Sequence, residues 1–200
     1  MKVIHKLGPA DHGRPLSEDE FFSADYREGY RYELIDGRLY VSPQANPPQD
    51  RVNTWLWGKI FHYSSERPDI INYLSAKARV IVPGRPGLTI PEPDLTAYRD
   101  YPLDLPFEEI RWEDLHPILV AEILSKDDPD KDLVRNVELY LQVPSIKEYW
   151  VLDGRENSDR PLLLVFRRRG NKWTKIEVPF GDVYTTKLLP GFQLKVDPRS

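Results

Sequence analysis

Apolar and polar positions fall into short runs along the chain, and each run predicts an element. ILVAEILS at 118–125 is apolar at nearly every position, which predicts a strand covered on both faces. Glu122 sits in the middle of it, on the same face as Val120 and Leu124. A carboxylate there is costly unless something pairs with it.

Around that strand the pattern shifts between a period of two and a period near 3.6. LSEDEFFSA predicts a short helix with Ser17 as N-cap and Glu20 closing a capping box, Phe21 and Phe22 facing the core. RYELIDGRLYVSP (31–43) predicts a hairpin turning at Asp36-Gly37. Val52, Trp55, Leu56, Ile60 and Tyr63 predict an amphipathic helix over 51–67. YLSAKARVIV (73–82) predicts a strand, 88–99 an extended proline-interrupted segment, and 100–116 an acidic irregular one. LVRNVELYLQV (133–143) predicts a helix with Asp132 as N-cap, and IKEYWVLD (146–153) a strand. Residues 161–178 predict a hairpin turning at Gly170-Asn171. The whole predicts one α/β (α+β) domain over 16–197, after a loose lead-in at 1–15.

Composition narrows the function classes. With 200 residues the chain can bury one sizeable core, and its formal net charge of −4 gives no bulk basic signal for nucleic acid. There is no cysteine, which excludes disulfides and thiolate metal sites and fits a reducing compartment, so a cytoplasmic location is expected. No apolar h-region predicts a signal peptide and no run is long enough to predict a membrane span. His5, His12, His62 and His116 lack metal-ligand spacing. Ser125 has no paired base, which argues against a nucleophilic serine. RRRGNKWTK (167–175) is the densest basic stretch; a solvated hairpin tip explains it more simply than phosphate contact. Trp57 falls off the main face of its helix, where a dimer contact would account for it.

Glu33, Asp94 and Glu122 all fall where strands are predicted. Carboxylates converging from neighbouring strands repel unless a cation or a proton lies between them. A hard divalent cation answers that cost with oxygen ligands. Pairing of each acid with arginine or backbone, in a purely structural network, answers it equally well at this point.

ELIDG at 33–37, SP at 42–43, PEPD at 91–94, LVAEILS at 119–125, ELYLQVPSIKEYWVLD at 138–153 and LLPGFQL at 188–194 follow one another in an order that resembles the Uma2 family (DUF820). Its members look like PD-(D/E)XK nucleases. The resemblance covers roughly residues 16–197 and implies a restriction-endonuclease-like core: a central mixed β-sheet flanked by helices, with an added C-terminal β-hairpin. It implies that Asp94 and Glu122 are metal ligands and that Glu33 reaches the metal or an attacking water. It further implies Mg²⁺ (or Mn²⁺), which polarises the scissile phosphate and activates water, a nucleic-acid partner, DNA above all, and a homodimer.

Two positions depart from the pattern. The simple nuclease motif places a lysine two residues after the second acid, where this chain has Leu124. The Uma2-like pattern places it four residues before the tyrosine, and counting back from Tyr140 gives Asn136, which carries no charge. Lys77, Lys126, Lys131 and Arg135 are the candidate substitutes, Arg135 lying about 100° round a regular helix from Asn136. Gln49 stands where many relatives have histidine. Two readings follow: an active metal-dependent endonuclease with Asn136 in the lysine's place, or an impaired relative that binds metal or nucleic acid without cleaving. Converging acids with a lysine amine among them would favour the first. Acids dispersed into separate arginine pairs would defeat both.

Overall fold

The computed structural model describes residues 6–124 and 128–200; His5, Ser125 and Lys126 lie outside them. A six-stranded mixed sheet forms the centre. In spatial order it runs β3 (Tyr73–Ser75), β4 (Leu95–Tyr98), β5 (Leu119–Ile123), β6 (Glu148–Asp153), β7 (Leu162–Arg169) and β8 (Lys172–Val178). Only β5 and β6 pair in parallel. The crossover that a parallel pair requires is helical. It enters helix at residue 129, makes one π turn at Lys131–Arg135 and continues as an α-helix, Asn136–Leu141.

Both faces of β5 are covered, as its uniform apolar run predicts. Leu119, Ala121 and Ile123 pack with Val52, Leu56 and Ile60, while Val120 and Leu124 pack with Leu139, Tyr140 and Tyr149. The alternation therefore turns Glu122 toward the crossover helix.

The long helix is α2 (Pro47–Glu66), starting four residues earlier than its apolar stripe predicts. Asn46 caps it and Gln49 closes the capping box, with Pro47 in the first turn. Before it come α1 (Glu18–Ser23), capped by Ser17 and Glu20 as expected, and the hairpin β1 (Tyr30–Ile35) and β2 (Arg38–Pro43). Asp36 and Gly37 both have positive φ, 50° and 74°, as a type I′ turn requires. Gly87 lies against this turn, where a Cβ would stand 2.5 Å from the Asp36 carbonyl carbon.

Several expectations need correction. Phe21 is fully buried but Phe22 is 38% exposed, under the Arg79 guanidinium. The strand expected at 73–82 ends at Ser75. Beyond it Val80 and Val82 donate to the carbonyls of Pro91 and Thr89, and the prolines at 91 and 93 offer no N–H to continue a ladder. Residues 6–15, read as a loose lead-in, are tied down: Leu7 is buried and exchanges backbone hydrogen bonds with Asp25 and Arg27. Trp57 is half-buried against the core. The hairpin at Gly170-Asn171 forms as read, and a smaller one, β9 (Val183–Thr185) with β10 (Gln193–Lys195), follows it. No helix among the described residues is long and apolar enough to cross a membrane.

Candidate active site

The β4–β5 register sets the first two acids side by side. Leu95 pairs with Ala121, so Asp94 falls opposite Glu122 one step beyond. The Ile123 N–H donates to Asp94 Oδ2 at 2.7 Å, and the Asp94 N–H donates to Glu122 Oε2 at 3.3 Å. The prolines flanking Glu92 keep this approach extended.

Strand β1 supplies the next pair. Tyr32 and Leu34 enter the core beneath the hairpin, so Arg31 and Glu33 turn to the opposite face. Arg31 Nη1 donates to Asp94 Oδ1 at 2.6 Å, and Nη2 donates to the Glu92 carbonyl. Glu33 accepts from the Glu92 N–H at 3.2 Å and from Arg135 Nη2 at 2.8 Å, and Lys131 Nζ lies 3.5 Å from its Oε1.

The crossover helix closes the site. Asp132, Asn136 and Tyr140 are spaced by four and all are buried. Asn136 Nδ2 donates to Glu122 Oε1 (3.1 Å) and to Asp132 Oδ1 (3.0 Å), and Tyr140 Oη donates to Glu122 Oε1 (3.2 Å). Asp132 is thus inside the helix and not its cap; Asp128 caps instead, accepting from the Lys131 N–H at 3.2 Å. Gln49 Nε2 donates to the Leu124 carbonyl at 3.3 Å, tying the start of α2 to the end of β5. Arg31, Asp94, Glu122, Lys131, Asp132 and Gln49 all line one cleft of about 370 Å³.

The acids fall into two electrostatic classes. Burial alone would raise the Glu33 carboxyl, but the charges of Lys131, Arg135 and Arg31 hold it down at about 2. Glu122 is pushed well up, first by burial and then by the Asp132 charge, with Lys131 opposing. Asp132 is pushed up to about 6 by burial, with Lys131 again opposing and Asp94 and Glu33 adding to the rise. Among the described residues, no lysine or arginine forms an ion pair with Glu122 or Asp132.

The outcome falls between the two patterns posed by the sequence. Asp94 and Glu33 have arginine partners, yet Asp94, Glu122 and the amine-bearing Lys131 share a cleft. Glu33 is anchored to cations and is absent from the cleft lining. Lys77 is exposed. Among the described residues no three acidic or histidine side chains stand close enough to cage a metal. Asp94 and Glu122 leave two facing carboxylates in the cleft, a number of protein carboxylates that a hard divalent cation commonly takes alongside water or phosphate.

Two site residues escaped the sequence reading. Arg31 was recoverable from its i, i+2 relation to Glu33, and Asp132 from the four-residue spacing to Asn136 and Tyr140. The basic stretch lies elsewhere and is partly structural: Arg167 pairs with buried Glu148 at 2.9 Å, and Arg168 donates to the carbonyls of Tyr140, Leu141, Val143 and Ile146.

The sequence profile of the Uma2 family, described as "Putative restriction endonuclease", matches residues 19–197. The chain belongs to the Uma2 family. A crystal structure similar to this Uma2 chain is that of "a putative nuclease belonging to DUF820" from Anabaena variabilis. The two superpose with a TM-score of 0.70 at 18% identity, covering 91% of this chain and 96% of that one. At that identity the match establishes a shared fold. No curated protein matches the chain.

Proposed function

We propose that this Uma2 chain is a divalent-metal-dependent endonuclease that hydrolyses phosphodiester bonds in DNA. The observation that carries the reading is the cleft in which Asp94 and Glu122, fixed side by side by the β4–β5 register, face Arg31 and Lys131. Like-charged carboxylates concentrated beside fixed cations suit a site that takes a metal and a phosphate together.

Asp94 and Glu122 would hold the metal. When bound, Mg²⁺ (or Mn²⁺) supplies Lewis acidity to the phosphoryl group and lowers the pKa of water. The protein's groups do the positioning. Arg31 orients the Asp94 carboxylate; Asn136 and Tyr140 orient that of Glu122. Asp132, in the cleft wall, is placed to accept the proton of the attacking water. The water oxygen bonds to phosphorus and the bond from phosphorus to one ester oxygen breaks. A proton returns to the leaving oxygen, so diester and water become a phosphate monoester and a hydroxyl. Cutting both strands of a duplex takes two such clefts, which a two-fold homodimer supplies.

The neutral residue at 136 favours a second reading, in which the site binds metal or nucleic acid but does not cleave. Supercoiled plasmid separates the two. The nuclease reading expects nicked circles with Mg²⁺ or Mn²⁺, none with EDTA, and a loss of about 100-fold or more in Asp94→Asn. Metal binding with no nicking would select the second reading.

A further inference from the structure

The π turn lies where the crossover helix brings Lys131 to the cleft. In an α-helix residues four apart stack, so only Asp132 would lie one turn before Asn136, with Lys131 about 140° away. Here the Asn136 N–H donates to the Lys131 carbonyl, a bond five residues long, which widens the turn and swings Lys131 toward the face that carries Asp132 and Asn136. Lys131 and Asp132 therefore both face the cleft. The Lys131 side chain is 12% exposed, its ammonium lies 3.5 Å from a Glu33 oxygen, and the residue lines the same cleft as Asp94 and Glu122.

We propose that Lys131 replaces the lysine missing at position 136 and supplies the positive charge that meets the scissile phosphate, with Glu33 as its positioning residue. The inference rests on the nuclease reading above. Charge is consistent with the Lys131–Glu33 ion pair: burial favours a neutral amine, but neighbouring carboxylates, Glu33 first among them, push the Lys131 pKa up. That role for Lys131 also gives Glu33 work that its anchored geometry fits, since a carboxylate bound to Arg135 and the Glu92 N–H is a fixed point against which an ammonium is held.

The test is plasmid nicking by the wild type, Lys131→Gln, and Lys131→Gln combined with Asn136→Lys, with thermal melts of each. Lys131→Gln is expected to lose about 100-fold in kcat with KM little changed. Moving the charge to 136, where the asparagine nitrogen already touches both Glu122 and Asp132, is expected to restore at least about tenfold of that loss. Added ethylammonium should partly rescue Lys131→Gln but not the wild type. Cleavage by Lys131→Gln within twofold of wild type overturns the proposal and leaves the nuclease reading standing. Loss without rescue by either relocated or added amine overturns it in favour of a structural lysine. A wild type that cleaves nothing overturns the nuclease reading itself, and this inference with it.

Discussion

Glu33→Gln is expected to destabilise the fold by about 3 kcal/mol at neutral pH. The substitution leaves the Lys131 ammonium and the Arg135 guanidinium in a buried site without their carboxylate, and breaking a buried pair from one side costs more than the pair contributes. For a chain of this length the midpoint should fall by about 10 °C. The dependence on pH has a definite sign. Burial opposes ionisation of Glu33, but its cationic neighbours win and hold the carboxyl at about 2, below the roughly 4.3 of an unfolded chain. The stabilisation is complete above about pH 4.5 and is lost as pH falls toward 2. Urea titrations of wild type and variant should therefore differ at pH 7 and converge in acid. Equal stability at pH 7 would mean that the ion pairs are not formed.

Asp132→Asn is expected to do the opposite. Asparagine keeps an oxygen to accept from Asn136 and removes a buried charge that lies near Glu122 and Asp94. In metal-free protein at pH 8 the gain should be on the order of 2 kcal/mol, or about 5 °C in midpoint. Because burial and neighbouring charge raise the wild-type carboxyl to about 6, its ionisation penalises the fold above that pH. The penalty fades as pH falls from about 6 toward 4, and the two melting curves should draw together there. Cleavage should fall in the same variant that melts higher, because the strain belongs to the site's chemistry. A variant less stable than wild type at pH 8 would show that Asp132 is a structural anchor.

These two carboxylates explain how far the sequence could be read. The sheet strands were legible because β5 and β6 are apolar on both faces, and the turns because Asp36-Gly37 and Gly170-Asn171 carry their own backbone preference. Glu122 was legible as an anomaly in an apolar run. Asp132 was not, because an aspartate ahead of an amphipathic stripe reads as a cap; the real cap lies at Asp128, before Pro129. Asn136 could be seen to lack a charge, but not what replaces it. Lys131 was one of four candidates, and only the π turn, which no residue pattern announces, brings it round to the cleft. The early start of α2 was hidden because Pro47 and Pro48 lie ahead of the apolar stripe, although Asn46 and Gln49 form a capping box around them.

Calorimetric titration of Mn²⁺ and Mg²⁺ into the wild type and into Asp94→Ala/Glu122→Ala shows whether Asp94 and Glu122, facing one another, hold a divalent cation. Saturable binding to the wild type that disappears in the double variant is the predicted result. Identical isotherms, or none in the wild type, would contradict that role and leave Glu122 in its strand for structural reasons, held by Asn136, Tyr140 and the Asp94 amide.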